Sequence, residues 1–294
     1  MTDTTRYEEK QIWTVRDVVR WMSDRFAREG IESARLDAEL LCAQVLECDR
    51  VGIYLAMDRP LSIDERVKLR ELVQKRLARF PVAYLIGKRE FFGLTLHITP
   101  AVLVPRPDTE TLVEAALELF SDSTPIDVLD VGTGSGAIAI AIAVNRPLWR
   151  VTATDISREA LDVARKNAQK HQVNIEFLQG DLLSPVTGRR FHLIVSNPPY
   201  IPQREILQPE VQHEPSLALF SGTEGLNHLQ RILQDAPHFL HAQGLLLCEF
   251  GTGQESQLKA MAQTVNMYRD IRILRDLGNR PRVFSAKIAH PFKS

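Results

Sequence analysis

The sequence predicts an α/β protein: a doubly wound, mainly parallel sheet preceded by a small helical domain. Three observations carry that expectation. From residue 126 onward, strand and helix patterns alternate. Before about residue 88 no convincing strand occurs. The first strand of the alternating part runs straight into Gly132-Thr133-Gly134-Ser135-Gly136, a glycine-rich turn that opens a helix. The chain has 294 residues, 44% of them hydrophobic and 25% charged, enough to bury a core in one large or two smaller domains and unlike a disordered chain.

Residues 1–12 read as a frayed polar start. A first helix begins at Thr14 and carries Val15, Val18, Val19, Met22 and Phe26 on one face, with Gly30 as a stop. A second starts at Ser33. A third opens with Ser62-Ile63-Asp64-Glu65, the spelling of a capping box, and runs to Pro81. Residues 88–98 change character: Phe91-Phe92-Gly93 followed by alternating apolar positions suggests a β-hairpin connector. The prolines in VLVPRPDTE hold off the next helix until about Pro107. Strands then follow near 126–131, 149–155, 174–179, 191–196 and 244–250, with two late ones near 268–274 and 282–288. Helices fall near 137–144, 158–171, 226–240 and 254–265, and a long loop fills 198–225.

Composition narrows the function. Lys plus Arg number 36 against 37 Asp plus Glu, a formal charge of −1, so bulk charge marks neither a general nucleic-acid binder nor a membrane-surface binder. Three cysteines without a CxxC spacing offer neither a disulfide framework nor a structural zinc site. The eight histidines show no metal-ligand spacing. The early residues mix charges, unlike a secretory signal, and no apolar run reaches about 18 residues, so a cytoplasmic location is expected. Residues 66–89 carry eight basic groups against Glu71 alone; a basic helix there would dock an acidic protein face or simply be solvated surface.

Glycines between Gly132 and Gly136 let the backbone approach a ligand, and the helix behind them offers free N–H groups and a positive dipole end. A dinucleotide phosphate suits such a turn, as does a carboxylate or the methionine part of S-adenosylmethionine. Asp130 tilts the choice, since it accepts from an ammonium group and repels a pyrophosphate. Asp155 ends the second strand; its carboxylate suits two ribose hydroxyls side by side, or caps the next helix. Asp181 and the Leu182 N–H, after the third strand, suit an adenine edge, a charged turn being the alternative.

Ser196-Asn197-Pro198-Pro199-Tyr200 follows the apolar strand FHLIV, at a strand end where open α/β sheets bind ligands. Two prolines stiffen the loop and donate no hydrogen bond. What remains is an acceptor array, the Asn197 side-chain oxygen and the Pro198 carbonyl, beside the aromatic face of Tyr200. Such an array grips a planar NH2. An amide nitrogen is a poor nucleophile because its lone pair is delocalised. Acceptors on both N–H bonds orient it and strengthen as positive charge develops.

Taken together, DVGTGSG, Asp155, GDLL and SNPPY resemble class I S-adenosylmethionine-dependent methyltransferases of the amino-methylating branch. PVAYLIGKREFFGLTLHITPAVLVPRPDTE, with the late LCEFGTGQ and DLGNRPRVFSA, resembles the peptide chain release factor glutamine methyltransferase family. The resemblance implies the class I methyltransferase fold with seven strands, and S-adenosylmethionine as cofactor without a metal. It implies methylation of the glutamine of the GGQ motif in release factors. It assigns Asp130, Gly132, Thr133, Gly134, Ser135, Gly136, Asp155, Asp181, Leu182 and Asn197 to the cofactor. Asn197, Pro198, Pro199 and Tyr200 fall to the substrate, with Asn197, Pro198 and Tyr200 catalytic. The expected organisation is a helical substrate-recognition domain over 1–86, a hairpin connector over 87–105 and a catalytic domain over 106–294. A monomer that needs no membrane or direct nucleic-acid contact is expected. The alternatives are a ribosomal-protein glutamine methyltransferase, an adenine amino-group nucleic-acid methyltransferase, a nicotinamide-dependent oxidoreductase that would leave NPPY without a role, and a non-catalytic interaction protein.

Overall fold

The computed structural model describes residues 12–120 and 123–289, so the polar start expected over 1–12 lies outside the described residues except for Ile12. The chain divides into two compact units. One runs to Gly87 and takes in Pro209–His213; the other comprises Lys88–Gln208 and the chain from Glu214 onward.

The first unit is helical. Helix α1 (Val15–Arg28) starts at Thr14, whose hydroxyl accepts from Asp17 N while the Asp17 carboxylate accepts from Thr14 N. Its stripe of Val15, Val18, Val19, Met22 and Phe26 is buried against Leu41, Ile53, Leu69 and Val73. Helix α2 (Ala34–Val45) follows Ser33. Helix α3 (Arg50–Leu55), which the pattern did not announce, is capped by Asp49 accepting from Gly52 N at 2.7 Å. Helix α4 (Ile63–Leu77) has the capping box read at Ser62 and Glu65. It stops short of the expected Pro81, because Arg79 takes a left-handed φ of 69°. A short helix α5 (Val82–Ile86) ends at Gly87, also left-handed.

The basic stretch over 66–89 is not one solvated docking face. Arg76 is buried and donates to Asp37 at 2.7 Å and to Glu210 at 3.0 Å. Arg79 donates to Glu210 at 2.9 Å. These two cations bind the helices and the returning segment Pro209–His213 into the first unit.

The second unit opens with the hairpin β1 (Lys88–Phe91) and β2 (Leu94–His97), turned at Phe92 and Gly93 with positive φ at both. Phe91 is buried, while Phe92 N donates to Glu110. A 3-10 turn over Pro107–Thr109 leads into α6 (Glu110–Glu118). Then come β3 (Asp127–Val131), α7 (Ala137–Asn145), β4 (Arg150–Asp155), α8 (Arg158–Lys170), β5 (Ile175–Gln179) and β6 (Phe191–Ser196). After the long loop follow α9 (Asn227–Phe239), β7 (Leu240–Glu249), α10 (Glu255–Val265), β8 (Tyr268–Arg275) and β9 (Pro281–Ile288). The strand expected at 244 thus begins four residues earlier, directly after α9.

The seven strands lie in the order β5-β4-β3-β6-β7-β9-β8, with β9 antiparallel to both of its neighbours and the other pairs parallel. This is the doubly wound, mainly parallel sheet the sequence implies. The central strands are apolar runs because helices cover both faces. Winding reverses between β3 and β6, and their carboxyl ends frame the crevice where such sheets bind ligands. Helix α7 reads AIAIAIAVN and is buried over Ala137–Ala143. Its entry residue Gly136 has a φ of 82°, and a Cβ there would meet Ile140 at 2.9 Å and Ala164 at 3.2 Å. The missing side chain therefore lets α7 start hard against α8.

Candidate active site

Backbone bonds first shape the glycine turn. Gly132 N and Thr133 N both donate to the Thr154 carbonyl, at 2.9 and 3.0 Å. Gly134 N donates to Asp155 Oδ2 at 2.8 Å. Buried Asn167 donates to the Ser135 carbonyl at 2.9 Å and clasps both backbone groups of His97, so α8 holds the hairpin and the turn together. A Cβ on Gly132 or Gly134 would meet nothing within 4 Å, and both residues border a cleft shared with Thr133, Ser135, Asp155 and Asn197. Backbone is thus left bare for a ligand where winding reverses.

Asp130 does not border that cleft. It is fully buried beneath the turn, where its Oδ2 accepts from Thr133 Oγ1 at 2.6 Å and Ala139 N at 3.2 Å. Burial pushes its carboxyl up to about 7, against the pull of those two donors. From there Asp130 supports the turn that borders the cleft. Gly136 is likewise structural, set behind the cleft by its packing on α8.

Asp155 sits at the cleft edge with both oxygens engaged by backbone, Oδ2 by Gly134 N and Oδ1 by Ser157 N at 2.9 Å. Each carboxylate oxygen has a second acceptor direction, so two ribose hydroxyls can still bind. Burial raises its pKa, and the backbone donors oppose the shift. The next helix is capped by Ser157, which accepts from Ala160 N at 3.1 Å. Asp181 and Leu182 border the cleft beside Ile156. Asp181 pairs with Arg231 at 2.6 Å in a half-exposed setting, and Leu182 takes a φ of 48° with its carbonyl accepting from Thr154 Oγ1.

At the end of β6, Ser196 is anchored by its hydroxyl to the Val131 carbonyl at 2.7 Å. Asn197 then reaches the cleft, its Nδ2 donating to Thr109 Oγ1 at 3.0 Å. With the donor end tied to Thr109, Oδ1 is the acceptor Asn197 brings to the cleft. Pro199 borders the cleft as well, whereas the Pro198 ring is buried and Tyr200 turns its hydroxyl to Glu249 Oε1 at 3.2 Å. Burial and the Glu249 charge raise the Tyr200 pKa, keeping the phenol protonated.

Four supporting residues escape the motif reading. Thr109, itself bordering the cleft, accepts from Asn197, and buried Glu249 accepts from the Tyr200 hydroxyl. Gln254 donates to the Tyr200 carbonyl at 3.0 Å and accepts from Gly251 N, and His228 borders the cleft with Nδ1 on Ser221 Oγ. The Glu and Gln of LCEFGTGQ carried that signal, since polar side chains flanking an apolar strand end require partners. At the opposite end of the sheet, Asp127, His192 and His241 come within metal-ligating distance. Arg150 already holds both Asp127 oxygens, and His192 Nδ1 accepts from Asp127 N, so the cluster reads as an ion-pair network.

The PrmC N-terminal domain model matches residues 17–87, and the methyltransferase small domain model matches residues 109–214. A release factor glutamine methyltransferase from Geobacter sulfurreducens is 42% identical over 257 residues, covering 86% of this chain and 90% of the relative. One from Rhodopirellula baltica is 39% identical over 287 residues, covering 94% and 97%. The chain belongs to the release factor glutamine methyltransferase family. Among solved structures, a methyltransferase from Pyrococcus furiosus superposes with a TM-score of 0.52 at 19% identity, over 76% of this chain and 98% of that one. That likeness speaks for the fold alone. As a release factor glutamine methyltransferase the chain is an S-adenosylmethionine-dependent enzyme, and the residues present fit that cofactor: bare glycine backbone at one end of the cleft and an acceptor-rich Asp155 beside it.

Proposed function

We propose that this enzyme methylates the side-chain amide nitrogen of the glutamine in the GGQ motif of peptide chain release factors. The observation that carries the reading is the Asn197 amide, tied by Nδ2 to Thr109 at the edge of the cleft that Gly134 and Asp155 also border. An acceptor so placed suits an NH2 group beside a methyl donor.

The turn over Gly132, Thr133, Gly134 and Ser135 holds the methionine end of the cofactor, with Asp130 keeping the turn in shape. Asp155 binds the ribose hydroxyls, and Asp181 with the Leu182 N–H meets the adenine. When bound, S-adenosylmethionine supplies an electrophilic methyl on a sulfonium, a good leaving group. Asn197 Oδ1 and the Pro198 carbonyl accept the two amide N–H bonds of the substrate glutamine and leave its nitrogen aimed along the transfer line. Both hydrogen bonds strengthen as the nitrogen becomes positive, so they lower the barrier rather than merely bind. Pro199 walls the pocket, and the aromatic face of Tyr200 next to it favours nearby positive charge.

The region over 1–86 recognises the release factor, the hairpin over 87–105 connects, and the remainder catalyses. No helix among the described residues is long and apolar enough to cross a membrane. Separately, the proposal is of a monomer that works in the cytoplasm beside the translation machinery and needs no direct nucleic-acid contact. The test is radiolabelled methyl transfer to purified release factors. Label is expected on the natural factor and absent from one whose GGQ glutamine is alanine; label on both, or on neither, rejects the reading.

A further inference from the structure

Glu249 ends β7 at 1% exposure. A carboxylate buried that deeply is costly unless donors meet its charge. Oε1 accepts from the Tyr200 hydroxyl at 3.2 Å, whereas Oε2 is buried without a hydrogen-bond partner. Electrostatically, the Thr109 hydroxyl favours the charged form of this carboxyl. That same hydroxyl accepts from Asn197 Nδ2. Glu249 thus holds the Tyr200 end of the segment directly, and its unpartnered Oε2 is left for the Thr109 hydroxyl that ties down the Asn197 end.

We propose that Glu249 is a positioning residue: as an acceptor-only carboxylate it takes the hydroxyl hydrogens of Thr109 and Tyr200, which obliges Asn197 to present Oδ1 to the substrate. The inference rests on the glutamine-methylation reading above. Its logic is the direction of the hydrogen-bond chain. A Thr109 hydroxyl that donates to Glu249 offers Asn197 only lone pairs, so the Asn197 amide must turn its NH2 to Thr109. Place a donor at position 249 and the Thr109 hydrogen is displaced towards Asn197. The amide then reverses and sets an NH2 against the substrate NH2, two donors face to face.

The surroundings make this chain sensitive to pH. Burial pushes the Glu249 carboxyl up to about 7, Asp108 adds to that, and Thr109, Tyr200 and Arg282 oppose it. Arg282 is itself shared with Asp108 at 2.7 Å and Asp276 at 3.3 Å, so it only partly compensates. The charged, orienting form therefore prevails above about 7 and declines below it.

The experiment compares the parent enzyme with Glu249→Gln, Thr109→Val and Thr109→Ser, using full-length release factor and saturating S-adenosylmethionine. Expected are kcat values lowered about tenfold to a hundredfold in Glu249→Gln and Thr109→Val, the scale of a misaligned reacting group. Cofactor Kd and release factor KM should stay within about twofold of the parent's. Thr109→Ser, which keeps the hydroxyl, should recover most of the Thr109→Val loss. Parent kcat should fall as pH drops through about 7, and that limb should vanish in Glu249→Gln. A Glu249→Gln enzyme with near-parental kcat and the acid limb intact overturns the proposal. Should Glu249→Gln fail to fold by circular dichroism, the Thr109 pair decides: a near-parental Thr109→Val overturns the proposal, and a loss restored by serine supports it. A parent that labels no release factor defeats the functional reading instead, so the two failures are distinct.

Discussion

Gly225 lies so close to the Tyr200 carbonyl that a Cβ on it would stand 2.2 Å from that oxygen. The same carbonyl accepts from Gln254, whose Nε2 would be 2.9 Å from that Cβ, and Gly225 has a φ of 75°. The far end of the 198–225 loop thus closes directly onto the NPPY segment. Gly225→Ala should displace Tyr200 and lower thermal stability, and turnover should fall further than cofactor affinity. Calorimetry with cofactor titration checks this; a variant with parental Tm and kcat would mean the loop can shift without disturbing the segment.

Asn197→Ala removes the acceptor that orients the substrate amide but leaves the glycine turn and Asp155 untouched. Turnover should drop by about 100- to 1,000-fold, as when a donor to a developing charge is removed. Cofactor Kd should change by less than about threefold. Single-turnover kinetics beside isothermal titration separate the two, and an active alanine variant would place the amide elsewhere.

Much of this was legible in the sequence, for reasons that particular residues show. Strands β3 and β6 are apolar runs closed by a glycine turn or a proline pair, and both lie within a residue of their expected limits. Helices α3 and α5 were not, being six and five residues long, too short to show a period. The NPPY and glycine motifs announce themselves because their chemistry is local. Thr109 and Glu249 do not, since each reaches the NPPY segment only through tertiary folding; for Glu249 a lone carboxylate in the apolar run LLLCEF was the clue. Asp130 stands out in the sequence as an acid at a strand end, but that its carboxylate lies beneath the turn comes only from the fold, because sequence does not give which side of the turn it faces. The basic count over 66–89 likewise hid Arg76, a cation pointing inward.

Asp130 makes stability depend on pH in a definite direction. Its folded-state pKa, pushed up to about 7, lies above the ordinary carboxylate value of 3.8. Between those values the folded state binds more protons than the unfolded one. Its stabilising contribution is whole below about 4 and is lost as pH rises through about 7. Asn keeps an acceptor for Thr133 and Ala139 without the charge, so the Tm of Asp130→Asn relative to the parent should rise between pH 5 and pH 8. Parallel Tm curves across that range would place the Asp130 pKa near its ordinary value.

In the helical unit, Arg76 and Asp37 form an ion pair with both side chains at most 4% exposed. Asp37 also accepts from Ser33 Oγ at 2.9 Å, and Arg76 extends to Glu210. Removing the cation alone, as in Arg76→Met, leaves the Asp37 carboxylate buried without its counter-charge and should cost about 3–5 kcal/mol. Removing both charges, as in Arg76→Met with Asp37→Leu, should recover much of that loss, because an apolar pair of similar volume needs no counter-ion. The double variant still lacks the bond to Glu210, so the tie to Pro209–His213 should remain weakened. Chemical denaturation of the single and double variants measures the first effect, and proteolysis near residue 208 the second. A double variant less stable than Arg76→Met would show that the pair itself, and not the stranded carboxylate, supplies the stability.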